Sequence, residues 1–276
     1  MIKDIPTKEE FDSAAKSQFD FAWDIVISFL LSLENAREYS EVDDGDEKAF
    51  WDSAHQRILT ALIISQQGVE LALKGKLVAI SPFLLISGNP SDWPKDSTNT
   101  GISFSDFRAI DAQDLVRVHN TASDDNLCSE FSTLFDNLRR QRNKAMHTVD
   151  RNLKISATEL LINILEFHKH LYGDENWIET RREFLYNSAD THVFFNTEFV
   201  ESSVIKEFST VFSFLSTAQV AKFFDINKKK IAFIYAQSAR PRLINMNHLK
   251  SSMQFYNQTN LIQNIYSVLS VTQNIP

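Results

Sequence analysis

The stretch KEEFDSAAKSQFDFAWDIVISFLLSLENAREY, residues 8–39, carries large apolar side chains at helical spacing. Apolar residues that recur every three or four positions form one continuous stripe on a helix, so this stretch predicts a single long helix. The stripe consists of Phe11, Phe19, Trp23, Val26, Leu30 and Leu33.

A second helix is predicted from about Lys48 to Ile80, because a similar stripe runs through that stretch and Pro82 follows it. The acidic residues 41–47 between the two helices are predicted to form a turn, with Gly45 supplying the backbone conformation. Residues 87–105 are rich in Gly, Pro, Ser, Asp and Asn, which is typical of a surface loop. Three more helices are expected at about 106–120, 124–149 and 156–171, the last with a capping-box pattern of Ser156 and Glu159.

The sequence changes character after Gly173. Residues 177–186 still have helical spacing, and residues 248–269 return to it. Between them, short β-branched and aromatic runs such as HVFF (192–195) and KKIAFIY (229–235) are typical of strands. We therefore place a domain boundary near residue 172. A mainly α-helical, antiparallel bundle is predicted over residues 1–172, and a smaller mixed α/β region of unknown role over residues 173–276.

The composition describes an acidic chain with one cysteine. Its formal net charge is −8, whereas proteins that coat nucleic acid through electrostatics usually carry a basic domain. This charge still allows an enzyme that handles RNA at one local basic patch. The single cysteine, Cys128, excludes an intramolecular disulfide and an all-cysteine zinc site. We find no secretory segment and no apolar run long enough to span a bilayer, so we expect a soluble, cytoplasmic protein.

The local basic patch lies within residues 134–154. Most charge runs are solvated helix faces, but at about 100° per residue Arg142 falls in the middle of an apolar stripe. An arginine there must reach a partner, line a cleft or lie in an interface, since an unpaired buried charge is very costly. The stripe consists of Phe131, Phe135, Leu138, Met146 and Val149, and the cations of the run are Arg139, Arg140, Arg142, Lys144, Arg151 and Lys154.

Next to Arg142, the side chains of Asn143 and His147 lie four residues apart and meet on one flank of the helix. These residue types can cleave RNA without a metal. Histidine can take the proton of the 2′-hydroxyl or protonate the leaving 5′-oxygen, and arginine can stabilise charge on the phosphorane oxygens. Asparagine can orient the histidine or hold a phosphate oxygen. Arg142, His147 and Asn143 are therefore the catalytic candidates, and the candidates for binding the substrate are Arg139, Arg140, Lys144 and Arg151.

The motif supplies one histidine per chain, so either the acid or the base has no candidate. In addition, Arg142 and His147 diverge by roughly 140° on an ideal helix. Pairing two copies of this helix about a two-fold axis would answer both difficulties, and the exposed part of the apolar stripe would supply the contact. We therefore expect a homodimer with the helix of residues 124–149 at or near the axis.

The sequence RNKAMH, residues 142–147, resembles the signature of the HEPN family. In that signature four to six residues separate an arginine from a histidine, and a polar residue commonly follows the arginine. The segment VELALK, residues 69–74, also resembles a family helix, and the resemblance covers roughly residues 10–172. It implies a helical bundle, metal-independent cleavage of RNA through the 2′-hydroxyl, and a composite site in a dimer with Arg142 and His147 catalytic and Asn143 supporting them. It further implies a toxin or phage-defence effector in a prokaryote, for which an antitoxin protein is a possible partner.

Two other interpretations stay open. The chain could be a catalytically silent HEPN module that senses RNA or a nucleotide, or a helical interaction protein in which His147 is packed and hydrogen-bonded. The pair Glu70 and Lys74 is more typical of a helix-surface ion pair than of a site. The other histidines have no cysteine or acidic neighbours at ligand spacing, and the chain has no glycine-rich phosphate loop, so we expect no metal site and no cofactor.

Overall fold

The computed structural model describes residues 1–96, 100–147, 154–173, 175–189, 191 and 197–226. Within these residues the chain is mainly α-helical, with eight α-helices and one two-stranded parallel sheet. None of the described helices is long and apolar enough to cross a membrane. The chain divides into two compact units after Gly173, next to the boundary expected near residue 172. The helices are α1 (Lys8–Tyr39), α2 (Asp44–Ile80), α3 (Ala112–Ala122), α4 (Ser129–His147), α5 (Ala157–Tyr172), α6 (Trp177–Tyr186), α7 (Thr197–Phe214) and α8 (Thr217–Phe224).

The helices α1 and α2 pack against each other along their lengths. Only residues 40–43 connect them, so they run antiparallel. Gly68 of α2 lies where an added Cβ would be 3.1 Å from the ring of Phe19 on α1. The missing side chain at this position therefore lets the two backbones approach closely.

The predicted turn at residues 41–47 is shorter in the structure, because α2 begins at Asp44. Asp43 accepts a hydrogen bond from the backbone N–H of Asp46 and caps the helix. Further acidic residues occupy the first turn, where negative side chains complement the helix dipole. Gly45 lies inside the helix, and the prediction that it shapes the turn is wrong.

The core of the first unit is built from the apolar sides of α1, α2, α4 and α5. The predicted stripe of α1 contributes to it, and Phe19, Trp23 and Leu30 are inaccessible to solvent. The helix α5 packs against both α1 and α2. Its N-cap is Ser156, whose hydroxyl accepts a hydrogen bond from the backbone N–H of Glu159. This bond is one half of the predicted capping box, and the return bond from the N–H of Ser156 to the Glu159 carboxylate is not formed.

The predicted surface loop at residues 87–105 contains a short strand. The strand β1 (Ile2–Lys3) pairs in parallel with β2 (Ile102–Ser103), with Ile2 opposite Ile102. Gly101 precedes β2 with a φ of +91°, and an added Cβ there would lie 2.6 Å from the side chain of Lys3. Because glycine tolerates both this backbone conformation and the close approach, it sets the entry of the chain into β2.

The helix predicted from residue 106 begins later, at Ala112. The backbone before it is bonded to the segment that follows α2 instead. The N–H of Ser87 donates to the carbonyl of Arg108, and the N–H of Ile110 donates to the carbonyl of Leu85. These bonds hold residues 108–110 extended, so α3 cannot include them and begins after them.

The helix predicted from residue 124 also begins later, at Ser129. Asn120, near the end of α3, makes two hydrogen bonds to the backbone of Leu127, of 2.9 and 3.2 Å. This side chain occupies backbone groups that an earlier helix start would use. The predicted end of this helix, residues 148–149, lies outside the described residues.

The second unit, where the structure describes it, contains α6, α7 and α8. Arg181 of α6 and Glu207 of α7 form a buried ion pair, with 2.9 Å between Nε and Oε1. A mixed α/β region was predicted here, but residues 197–224 form two helices. The runs HVFF and KKIAFIY and the predicted helix at 248–269 lie outside the described residues.

Candidate functional site

The N-terminal half of α4 is anchored in the core of the first unit. Phe131, Phe135 and Leu138 are each at most 2% exposed. The ring of Phe131 stacks on that of Phe135 with 6.4 Å between centroids, and it meets the ring of Phe167 on α5 edge-on at 5.7 Å. These contacts fix the direction of α4 and thereby position its C-terminal half, residues 139–147, which carries the candidate site.

The burial of the apolar stripe ends before α4 does. On a helical wheel, Arg142 and Met146 continue the side of the helix that holds Phe135 and Leu138. Arg142 is half-buried, and Met146 is 49% exposed. The rest of the described chain therefore covers this side of the C-terminal half only in part.

Arg142 and Asn143 are joined by a hydrogen bond in which Nη1 of the arginine donates to Oδ1 of the asparagine over 3.0 Å. The Nε atom of Arg142 is inaccessible to solvent and has no hydrogen-bond partner among the described residues. Leaving a buried donor without a partner costs about 1–3 kcal/mol. The hydrogen bond to Asn143 thus orients the guanidinium, at the cost of one buried donor without a partner in the described part of the chain.

His147 is the last residue of α4, and its side chain is exposed. No residue in the described ranges forms a hydrogen bond or an ion pair with it. Its neighbours on the helix surface are Asn143, one turn before it, and Lys144. The imidazole is therefore accessible to a ligand and is not part of the packed core, which disfavours the interpretation of α4 as a purely structural element.

The two arginines that precede the motif contact different parts of the unit. Arg139 is half-buried and donates to Gln113 of α3 over 3.5 Å and to Asp136 over 3.4 Å. Arg140 is exposed and donates to Oδ1 of Asn137 over 3.0 Å. Arg139 is thus engaged with α3, whereas Arg140 lies nearer the side of α4 that carries His147.

A groove of about 470 Å³ lies between α4 and the start of α5, and we call it the α4–α5 groove. It is lined by the three cations Arg140, Lys144 and Lys154 and by the carboxylate of Glu159. The other side chains that line it are Leu134, Asn137, Leu138, Gln141 and Asn163. The groove concentrates positive charge in a chain whose formal net charge is −8.

The structure divides the predicted site residues into groups. It brings Arg142 and Asn143 together and places His147 one turn further along α4. Arg140 and Lys144 line the groove, whereas Arg142, Asn143 and His147 do not. Arg139 contacts α3 instead, and Arg151 lies outside the described residues. Sequence reasoning missed the part of the groove contributed by Asn163, because nothing in the α5 sequence marks that residue. Lys154 was recognised only as a member of the basic run.

His168 on α5 differs from His147 in its exposure, because the side chain of His168 is buried. Burial, together with the positive charge of Lys16, lowers the pKa of His168 to about 4. Its ring lies 5.3 Å from that of Tyr172 between centroids. This histidine belongs to the core. Among the described residues, no three His, Cys, Asp or Glu side chains group as ligands of a metal ion.

No family model matches the chain, and neither a curated protein nor a solved structure matches it.

Proposed function

We propose that the chain is a metal-independent endoribonuclease of the HEPN type, with its site at the C-terminal half of α4. The observation that carries the proposal is the exposed His147, without a hydrogen bond to the described residues, one turn from the Arg142–Asn143 pair. An accessible imidazole can transfer protons, and an oriented guanidinium can stabilise developing negative charge. The proposal includes action in the cytoplasm of a prokaryote as a toxin or phage-defence effector, and a possible antitoxin partner, which the HEPN resemblance implies.

The reaction follows from these groups. The 2′-oxygen of the RNA attacks the adjacent phosphorus, and a base takes its proton. The bond from phosphorus to the 5′-oxygen breaks, and an acid protonates that oxygen, which leaves a 2′,3′-cyclic phosphate on one fragment and a 5′-hydroxyl on the other. His147 acts as acid or base. Arg142 donates to the phosphorane oxygens through the terminal nitrogens of its guanidinium.

A second copy of the chain completes the site in this proposal. Arg142 and His147 diverge by roughly 140° around α4, so one helix does not direct both at one phosphate. The exposed Met146 lies on the same side as Arg142 and offers an apolar contact. Two copies of α4 that cross at this contact about a two-fold axis bring the arginine of one protomer towards the histidine of the other and supply two histidines.

The proposal rests in part on the fold of the first unit. The segment of residues 69–74, which resembles a HEPN helix, lies on α2, with Val69 and Leu73 buried in the core. Glu70 and Lys74 are half-buried, and Glu70 accepts a hydrogen bond from Gln66. A helical bundle with the arginine–histidine motif late in a helix is the arrangement that the resemblance implies.

The test uses the purified chain, a defined single-stranded RNA and an excess of EDTA. We expect cleavage that EDTA does not inhibit, with 2′,3′-cyclic phosphate and 5′-hydroxyl ends identified by mass spectrometry. Fragments with 5′-phosphate ends, or cleavage that stops in EDTA, would contradict the proposal.

The assembly is tested by light scattering at micromolar concentration. We expect a homodimer, and we expect Met146→Asp to shift it towards a monomer and to reduce cleavage, because a carboxylate in the contact must be desolvated. Tyr39→Asp on α1, which changes another large and exposed hydrophobic side chain, is the matched control and should stay dimeric. A wild-type monomer that cleaves RNA would refute the composite site.

A second candidate is a catalytically silent HEPN module that binds RNA or a nucleotide. It is favoured by the α4–α5 groove, which holds three cations but neither of the catalytic candidates Arg142 and His147. Tight RNA binding without cleavage under any of these conditions would select this candidate over the nuclease.

A further inference from the structure

The α4–α5 groove has the chemistry of a site for a phosphate chain. Arg140 donates hydrogen bonds to the amide oxygen of Asn137 and to the backbone carbonyl of Asp136, and no carboxylate in the described part of the chain forms an ion pair with it. Lys154 has no ion-pair partner within the described ranges. Cations that face one groove repel one another, and an anion placed between them relieves the repulsion.

The groove also contains amides suited to reading a base. Gln141 and Asn163 are half-buried, and neither forms a side-chain hydrogen bond to another described residue. An amide offers both a donor and an acceptor, the pattern needed at the edge of an unpaired base. The half-buried side chain of Leu134 supplies an apolar surface beside them. The cavity of about 470 Å³ lies within the range of roughly 300–1,000 Å³ that is typical of ligand pockets.

The position of the groove relates it to His147. Arg140 and His147 are seven residues apart, which is about two helical turns and about 10 Å along α4. They therefore lie on nearly the same side of the helix, with Lys144 between them. A strand bound by the cations of the groove continues towards the end of α4, where the imidazole is exposed.

We propose that the α4–α5 groove is the substrate subsite of the chain: it binds the backbone of single-stranded RNA next to the scissile phosphate. Arg140, Lys144 and Lys154 hold phosphates, and Asn163 with Gln141 selects the base. The identification of the ligand as RNA rests on the proposed function. The charge and the amides of the groove are observed independently of that function. The negative charge of Glu159 repels the phosphates and thereby limits the affinity of the site for RNA.

The test measures binding apart from cleavage. The probe is a fluorescein-labelled 2′-O-methyl RNA 12-mer, which has no 2′-hydroxyl to attack, and its Kd is measured by anisotropy at several salt concentrations. The double variant Arg140→Gln/Lys154→Gln should bind about tenfold more weakly. The slope of log Kd against log salt should fall by about 1.4, because each phosphate contact to a single strand contributes roughly 0.7.

The matched control is Lys48→Gln/Arg117→Gln, which removes two exposed cations from α2 and α3 with the same change in net charge. It should bind the 12-mer as the wild type does. Glu159→Gln should tighten binding severalfold. Asn163→Ala should change the ranking of oligo-A, oligo-C, oligo-G and oligo-U while leaving the salt slope unchanged, since an amide carries no charge.

The outcomes separate this proposal from the nuclease. If the groove variants bind the 12-mer with the Kd and salt slope of the control, or if the wild type does not bind it, the groove is not the RNA subsite, even where EDTA-resistant cleavage is observed. If the wild type binds with the expected variant pattern but never cleaves RNA, the subsite stands and the nuclease proposal falls. Circular dichroism of each variant confirms that the fold is retained.

Discussion

The two halves of α4 share one helix geometry but have different surroundings. In the first half, Phe131, Phe135 and Leu138 are buried in the core, whereas in the second half the same side carries the half-buried Arg142 and the exposed Met146. A helix that only stabilised the bundle would be expected to continue its apolar residues to its end. The difference indicates that the first half of α4 builds the fold, whereas the second half leaves accessible the side chains of the proposed site.

Two histidines give the same contrast. His168 is buried on α5, near Lys16 and Tyr172, and its environment disfavours a proton. His147 is exposed at the end of α4, without a bond to the described residues. Only the second is placed to exchange protons with a substrate, so burial separates the core histidine from the functional candidate where residue type alone does not.

The largest effect is expected from truncating a side chain in the buried half of α4. Phe131→Ala removes a ring that contacts Phe135 and Phe167, and it should lower the free energy of unfolding by about 3–5 kcal/mol. Lys144→Ala, in the exposed half, should change it by less than about 0.5 kcal/mol. Urea unfolding followed by circular dichroism measures both. Equal losses in the two variants would remove the distinction between the halves.

The next effect concerns the chemistry of the second half. Arg142→Ala should slow RNA cleavage about 100- to 1,000-fold, because it removes a positioned donor from the phosphorane oxygens. Lys144→Ala should reduce the rate much less, and its effect should fade as salt rises, since an exposed phosphate contact is screened. Initial rates at two salt concentrations measure this difference. A Lys144 variant as inactive as the Arg142 variant would place the chemistry in the groove instead.

A smaller effect is expected from the core histidine. The pKa of His168 is lowered from 6.5 to about 4 in the folded chain, so the unfolded chain takes up a proton first as the pH falls. The neutral histidine therefore contributes fully above about pH 6.5, and up to roughly 3 kcal/mol of stability is lost as the pH falls towards 4. His168→Phe should remove this part of the pH dependence in urea unfolding between pH 7.5 and 4.5. A variant with the wild-type pH dependence would show that His168 is not the group responsible.

The long helices could be predicted because their signals are local. Each signal lies within a few turns of the helix or helix end that it predicts. Examples are the apolar stripe of α1, Pro82 after α2 and the cap at Ser156. The pairing of Ile2 with Ile102 could not be predicted, since two-residue strands far apart in sequence carry no periodic signal. The helix α7 was overlooked because its buried Val204 and Val211 are β-branched, a feature that is also typical of strands.

The candidate site was predicted in part. The helical wheel indicated that Arg142 interrupts the apolar stripe, and the structure has this side chain half-buried. The wheel did not reveal the hydrogen bond from Arg142 to Asn143 or the groove, because the groove needs Glu159 and Asn163 from α5. Residues on one helix follow from the sequence, whereas a surface shared by two helices depends on how they pack.

The central claim, that the C-terminal half of α4 carries chemistry and not folding, is tested most directly by His147→Ala. Cleavage of a defined RNA in EDTA and urea unfolding are measured on the same preparation, beside the wild type. We expect the variant to keep its dimer and its free energy of unfolding within about 0.5 kcal/mol, because an exposed side chain contributes little packing. We expect its cleavage to be abolished, since the proposed site has no other candidate for proton transfer. Wild-type cleavage by the variant, or a loss of several kcal/mol of stability, would contradict the account.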